Sequence, residues 1–158
     1  MRNIKLIIEY DGTDFCGWQI QTKNRNKDSV QEAIQKALKI ILKETLILTG
    51  SGRTDSGVHA KGQVANFKTH SDIPIEKLHK SLNGILPQQI RIKRIERVPI
   101  SFNARFDASS KLYRYTILNS DVGSPFCGRF AFFMPNRLDM NAMRNAAEYF
   151  IGRHSFSA

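Results

Sequence analysis

Ser29-Val30-Gln31-Glu32-Ala33-Ile34-Gln35-Lys36-Ala37-Leu38-Lys39-Ile40-Ile41 is the stretch from which the fold can be read. Ser29 followed three residues later by Glu32 has the form of a capping box, in which each side chain satisfies a free backbone N–H of the first turn. Val30, Ile34, Ala37, Leu38 and Ile41 recur at helical spacing, which predicts an amphipathic helix over about residues 30–43. Before it, Ile4 to Tyr10 reads as an Ile- and Leu-rich strand closed by the turn signal Asp11-Gly12. After it, Thr45 to Thr49 reads as a short β-branched strand leading into a loop with glycines at 50, 52 and 57. Gln63 to Thr69 is a further strand, with Val64, Asn66 and Lys68 alternating against Ala65 and Phe67.

A second helix is predicted from Pro74, carrying Leu78, Leu82, Ile85 and Leu86 up to Pro87. Ile90 to Val98 alternates Ile with Arg and Lys, as a half-buried strand with a basic outer face does. Leu112 to Leu118 alternates too, with Tyr113, Tyr115 and Ile117 on one side. Asp139 to Phe150 is a last helix, capped by Asp139 or Asn141, with Met143, Ala146, Ala147 and Phe150 facing inward. Strand, helix, strands, helix, strands predicts an α+β domain: an antiparallel sheet with helices on one face, in the manner of a split βαβ unit.

With 41% hydrophobic and 24% charged residues, the 158-residue chain has the composition of a globular protein, not of a disordered tail, a collagen-like repeat or a membrane bundle. Its formal charge of +10 points to a polyanionic partner, because neutralising phosphates releases counterions and drives association. Cys16 and Cys127 give neither a metal-ligand spacing nor a disulfide framework, as expected of thiols in a reducing cytoplasm. The apolar run of Met1 to Gly12 is too short for a signal peptide or a membrane span, and Glu9 interrupts it. A cytoplasmic protein is expected. There is no dinucleotide fingerprint, no Walker lysine, no zinc-type Cys or His pair and no nucleophile elbow, so no metal and no small-molecule cofactor are expected.

Chemistry concentrates in Gly52-Arg53-Thr54-Asp55-Ser56-Gly57. One reading is a tight turn in which Asp55 accepts backbone hydrogen bonds and Arg53 is merely exposed. The other is an ionised carboxylate held by the neighbouring guanidinium and used as a nucleophile. The residues by themselves leave both open.

The decamer Ser51-Gly52-Arg53-Thr54-Asp55-Ser56-Gly57-Val58-His59-Ala60, with Gly62-Gln63-Val64 and Phe67 beyond it, resembles the signature of the TruA family of tRNA pseudouridine synthases. Further blocks are similar and collinear. They are Glu9-Tyr10-Asp11-Gly12 with Phe15, Gly17-Trp18-Gln19 and Gln21, then Ser29-Val30-Gln31, and Leu82-Asn83 with Leu86-Pro87. Phe102 to Ala108 and Lys111-Leu112-Tyr113-Arg114-Tyr115 complete them. The resemblance implies a ferredoxin-like half of a pseudouridine synthase fold. It also implies isomerisation of uridine to pseudouridine at tRNA positions 38, 39 and 40, in the anticodon arm, by a cofactor-free homodimer.

By the same resemblance Asp55 is the catalytic nucleophile, and Arg53 contacts RNA as the base flips and partners the aspartate. Tyr113 stacks on the target uracil, and Arg105 pairs with Asp55 or with phosphate. Taking the base out of its stack costs roughly a few kcal/mol, which phosphate contacts elsewhere must supply. Arg91, Lys93, Arg94, Arg97, Arg105, Lys111 and Arg114 form a basic run suited to an RNA track. His59 is expected to be structural and Trp18 to pack the N-terminal loop. The expected division is a catalytic α+β domain over 1–137 and, over 138–158, a helix and the start of a second α/β half that the family carries and this chain does not show. Two other functions fit the same fold: a non-catalytic basic RNA-binding module, and a synthase with a different RNA target.

Overall fold

A computed structural model describes residues 1–21 and 27–155; Phe156 to Ala158, within the segment expected to begin a second half, lie outside the described residues. It divides into two compact units, Met1–Lys111 and Leu112–Ala158.

In the first unit β1 (Arg2–Tyr10), α1 (Val30–Leu42), β2 (Thr49–Gly50), β3 (Ala60–Thr69), α2 (Ile75–Ile85) and β4 (Ile90–Val98) follow in order. The sheet order is β2-β3-β1-β4, with every neighbouring pair antiparallel. This is the split βαβ arrangement, with β1 central because it is the most continuously apolar strand. Ile4, Leu6, Ile8 and Tyr10 alternate onto the face where Val30, Ile34, Ala37 and Leu38 of α1 and Leu78 and Leu82 of α2 are buried with them. Each Val, Leu or Ile among them contributes about 1.5–3 kcal/mol when fully buried.

The capping box is half realised: the Ser29 hydroxyl accepts from the Glu32 N–H at 3.1 Å, while the Glu32 carboxylate turns to Lys36. The Pro74 start of α2 and the extent of β4 agree with the sequence reading. In β4 the run Ile90-Arg91-Ile92-Lys93-Arg94-Ile95 breaks strict alternation, and the register slips between Ile7 and Ile8 of β1. The extra residue is a β-bulge, which keeps Ile92 and Ile95 opposite Ile8 and Leu6 and leaves Lys93 and Arg94 in water.

The expected strand over Thr45 to Thr49 is corrected to the two residues Thr49–Gly50. The carbonyls of Leu46 and Leu48 are taken by Gln35 Nε2 (3.1 Å) and Gln31 Nε2 (2.7 Å) of α1, so this segment bonds to helix side chains instead of to a strand.

In the second unit the expected strand over Leu112 to Leu118 is corrected to β5 (Ile117–Asn119), which pairs in parallel with β6 (Phe132–Met134). A strand needs a partner, and the first ladder bond is Phe132 N–H to Thr116 C=O. α3 (Met140–Glu148) is capped by Asp139, whose carboxylate accepts from Asn141 and Ala142. Met143, Ala146, Ala147 and Phe150, expected to face inward, are all exposed, since this unit buries no residue among those described. No helix among the described residues is long and apolar enough to cross a membrane.

Candidate active site

Asp55 sits on the loop between β2 and β3, and that loop is held from three sides. At its start the Ser51 N–H donates to Val64 C=O (2.8 Å), and Gln63 Nε2 donates to Gly52 C=O (2.6 Å). The Ser51 hydroxyl completes this clamp by donating to Gln63 Oε1 at 2.9 Å. At its middle, Thr54 turns inward: its hydroxyl lies 2.8 Å from the Tyr10 hydroxyl, and its carbonyl accepts from the Trp18 N–H at 3.0 Å. At its end, the Ser56 hydroxyl and the Gly57 N–H both donate to Phe15 C=O, at 3.2 and 3.4 Å. The Val58 N–H closes a turn back onto Asp55 C=O.

Two glycines let the N-terminal segment lie against this loop. Gly17 has φ +102°, and a Cβ there would stand 2.6 Å from Thr54 O. A Cβ on Gly12 would stand 2.0 Å from Val58 O. Both neighbours are backbone, so neither could yield cheaply. Under the loop Trp18 is buried as expected, its indole against Gly50, with the Tyr10 ring 6.1 Å away centroid to centroid. Burial pushes the Tyr10 phenol above its ordinary pKa, while its bond to Thr54 acts the other way.

With Thr54 pinned inward, Arg53 and Asp55 are presented outward and exposed. They line a cleft of about 440 Å³ together with Cys16, Gln19, Ile20 and Ser56. Among the described residues the Asp55 carboxylate has no hydrogen-bond or ion-pair partner, which leaves it available to a ligand. Arg53, expected to partner it, makes no ion pair with Asp55 here. An exposed pair gains roughly 0–1 kcal/mol against the entropy of ordering two side chains, and both groups stay in water.

Arg105 makes no ion pair with Asp55 either; its guanidinium lies 5.8 Å from the Phe106 ring centroid. Tyr113 belongs to the second unit, where it is 83% exposed. His59 is structural, as expected: its Nδ1 lies 3.2 Å from the Gly12 N–H and 3.1 Å from Asp11 Oδ1, tying the turn after β1 to the end of the loop.

Part of the basic run is engaged within the protein. Lys93 is held by Glu9 at 3.0 Å, Arg94 by Glu96 at 3.1 Å, and Arg91 is bonded to the carbonyls of Pro87 and Ile90. The Lys5 ammonium is the largest cause holding the Glu96 carboxyl below its ordinary pKa.

Several residues that build the site were assigned no role from sequence. Tyr10 and Gln63 lie within recognised blocks, yet nothing in their spacing shows that they anchor the aspartate loop. Asn3 and Asn66 are buried on the sheet face away from the helices. Asn3 Nδ2 donates to the carbonyls of Pro99 and Phe102, and Asn66 Nδ2 donates to Asn3 Oδ1 at 2.9 Å. Asn66 Oδ1 accepts from the Ala104 N–H at 2.9 Å. The pair thereby docks the segment that displays Arg105 and Phe106. An asparagine within a strand pattern is the available signal, since a buried amide must find partners.

Among the described residues no cluster of three or more His, Cys, Asp or Glu could hold a metal. A family model described as tRNA pseudouridine synthase matches residues 6–107. Curated relatives named tRNA pseudouridine synthase A align with the whole chain. The one from Citrifermentans bemidjiense is 49% identical over 158 residues, which is 62% of its own length. Those from Geobacter sp. strain M21 and Acetivibrio thermocellus are 48% and 47% identical over the same span, 63% and 64% of their lengths. The chain thus spans a little under two thirds of the relatives it matches.

Proposed function

Since the chain belongs to the tRNA pseudouridine synthase family, we propose that it carries the nucleophile of an isomerase converting uridine to pseudouridine in the anticodon arm of tRNA, at positions 38, 39 and 40. The observation that supports this best is Asp55, a carboxylate without a partner among the described residues, on a firmly anchored loop at the edge of an open cleft.

The reaction exchanges the C1′–N1 bond of the nucleotide for a C1′–C5 bond, with loss of the C5 proton to solvent and its replacement at N1. Nothing is oxidised or reduced, and no cofactor is consumed. Asp55 serves whether it attacks the sugar carbon or the base, or assists glycosidic cleavage by deprotonation, provided its ionised oxygen reaches the nucleotide. A rigid loop matters here because a catalytic group gains from being held in place before the substrate arrives. Arg53, beside Asp55 in sequence and without a carboxylate partner among the described residues, suits a phosphate or the flipped nucleotide. Tyr113 is assigned from the family pattern to stack on the uracil, a contact worth roughly 1–3 kcal/mol. Arg105 is assigned to RNA contact in the same way. A cytoplasmic homodimer acting on tRNA completes this reading.

Chemical mapping of pseudouridine in cellular tRNA, with and without the gene, tests the proposal. Loss of the modification at positions 38, 39 and 40 is expected. Unchanged pseudouridine there, with loss elsewhere, would assign a different RNA target.

A further inference from the structure

Lys111 comes from the end of the first unit, far in sequence from the aspartate loop, yet its side chain lies against the start of that loop. A Cβ on Gly52 would stand 2.8 Å from Lys111 Nζ and 3.1 Å from its Cε. The absence of a side chain at position 52 therefore leaves the place in which the ammonium lies. The Gly52 carbonyl is already taken by Gln63 Nε2, so the ammonium is not spent on satisfying it.

The cations of the first unit differ in their pairing. Lys5, Lys93 and Arg94 are each within ion-pair distance of Glu96 or Glu9. Lys111 is exposed and, among the described residues, has no carboxylate partner. A paired cation must give up its carboxylate to meet a phosphate, at a cost of roughly 0–1 kcal/mol when exposed, whereas an unpaired one gives up only counterions. Lysine at such a place acts as a compact, mobile point charge suited to a phosphate rather than to a base edge.

We propose that Lys111 is a phosphate-binding residue of the aspartate loop, which takes a backbone phosphate beside the target nucleotide and so seats the RNA against Gly52 and Asp55. The proposal rests on the RNA-modifying function above and deepens it by naming which cation of the basic run meets the substrate at the reacting loop.

The test measures binding of an anticodon-arm RNA to the full protein, as made in the cell, over a salt series. Wild type, Lys111→Ala, Lys111→Arg and Lys93→Ala are compared. Loss of one phosphate contact lowers the slope of log affinity against log salt by roughly 0.7–0.9. That reduction is expected for Lys111→Ala, with recovery in Lys111→Arg and a smaller change in Lys93→Ala. In multiple-turnover kinetics the Lys111→Ala loss should fall more on KM than on kcat. An unchanged slope in Lys111→Ala, or a reduction no larger than that of Lys93→Ala, overturns the assignment of Lys111 alone. Absence of any salt-dependent binding by wild type overturns the RNA-modifying function itself.

Discussion

The hydroxyls of Tyr10 and Thr54 lie 2.8 Å apart, so the buried end of the central strand is bonded to the residue that precedes Asp55. Tyr10 is 2% exposed and Asp55 is exposed; the bond carries the order of the core out to the aspartate loop.

Tyr10→Phe keeps the ring and removes this bond. A loss of about 1 kcal/mol in urea-unfolding free energy is expected, the usual net worth of one hydrogen bond. Because burial raises the Tyr10 pKa above 10.0, its contribution is fully present below that pH and is lost as pH rises through the folded-state value. Stability should therefore fall on the alkaline side, and the fall should be shallower in Tyr10→Phe.

Gly17→Ala meets two obstacles at once: a φ of +102° and the Thr54 carbonyl 2.6 Å from the new methyl. Strained backbone of this kind costs roughly 1–3 kcal/mol. Thermal unfolding should register that loss, and turnover should fall further than stability alone explains, since the displaced segment touches the residue next to Asp55.

Asn66→Ala leaves the Ala104 N–H and Asn3 Oδ1 without their partner inside the protein. Each buried group left unsatisfied costs roughly 1–3 kcal/mol. Amide hydrogen exchange at Ala104 should accelerate strongly, and RNA affinity should drop because Arg105 and Phe106 are no longer held. Exchange at Ala104 as slow as in wild type would contradict the docking role of Asn66.

Glu44 and Glu96 give the acid limb of stability. The Thr69 hydroxyl and then the His70 and Ser71 N–H groups hold the Glu44 carboxyl below its ordinary value of 4.5, and Lys5 does so for Glu96. A lowered pKa gives stability that is present above about pH 4.5 and lost as pH falls through the folded-state values. Urea midpoints measured from pH 7 down to pH 3 should decline, and Glu96→Gln or Glu44→Gln should flatten that decline.

The sequence read well where the cause of structure is local. The Ser29 cap, the spacing of Val30, Ile34 and Leu38, and the Pro74 start of α2 all act within one or two turns, and all are found where expected. It read poorly where structure depends on a distant partner. Thr45 to Leu48 has strand composition, but Gln31 and Gln35 reach its carbonyls first. Tyr113 and Tyr115 alternate as in a strand, yet β5 begins at Ile117, where β6 comes alongside. At Met143 and Phe150 periodicity gives the apolar face of a helix but not what covers it, and both are exposed.

The site divides in the same way. The loop that presents Asp55 is legible because its motif is contiguous and punctuated by glycines at 50, 52 and 57. The supports at Tyr10, Gln63 and Asn66 are not, because each acts across the sheet and depends on register. The resemblance implies an Arg53–Asp55 partnership, and both side chains lie in water without an ion pair between them.

Tritium release from C5-labelled uridine in an anticodon-arm RNA, by wild type and by Asp55→Asn, tests the central assignment most directly. Asparagine keeps the size and position of the side chain and removes the ionised oxygen. Wild type is expected to release tritium while Asp55→Asn binds the same RNA and releases none above background. Release by Asp55→Asn at the wild-type rate would show that Asp55 is not the nucleophile.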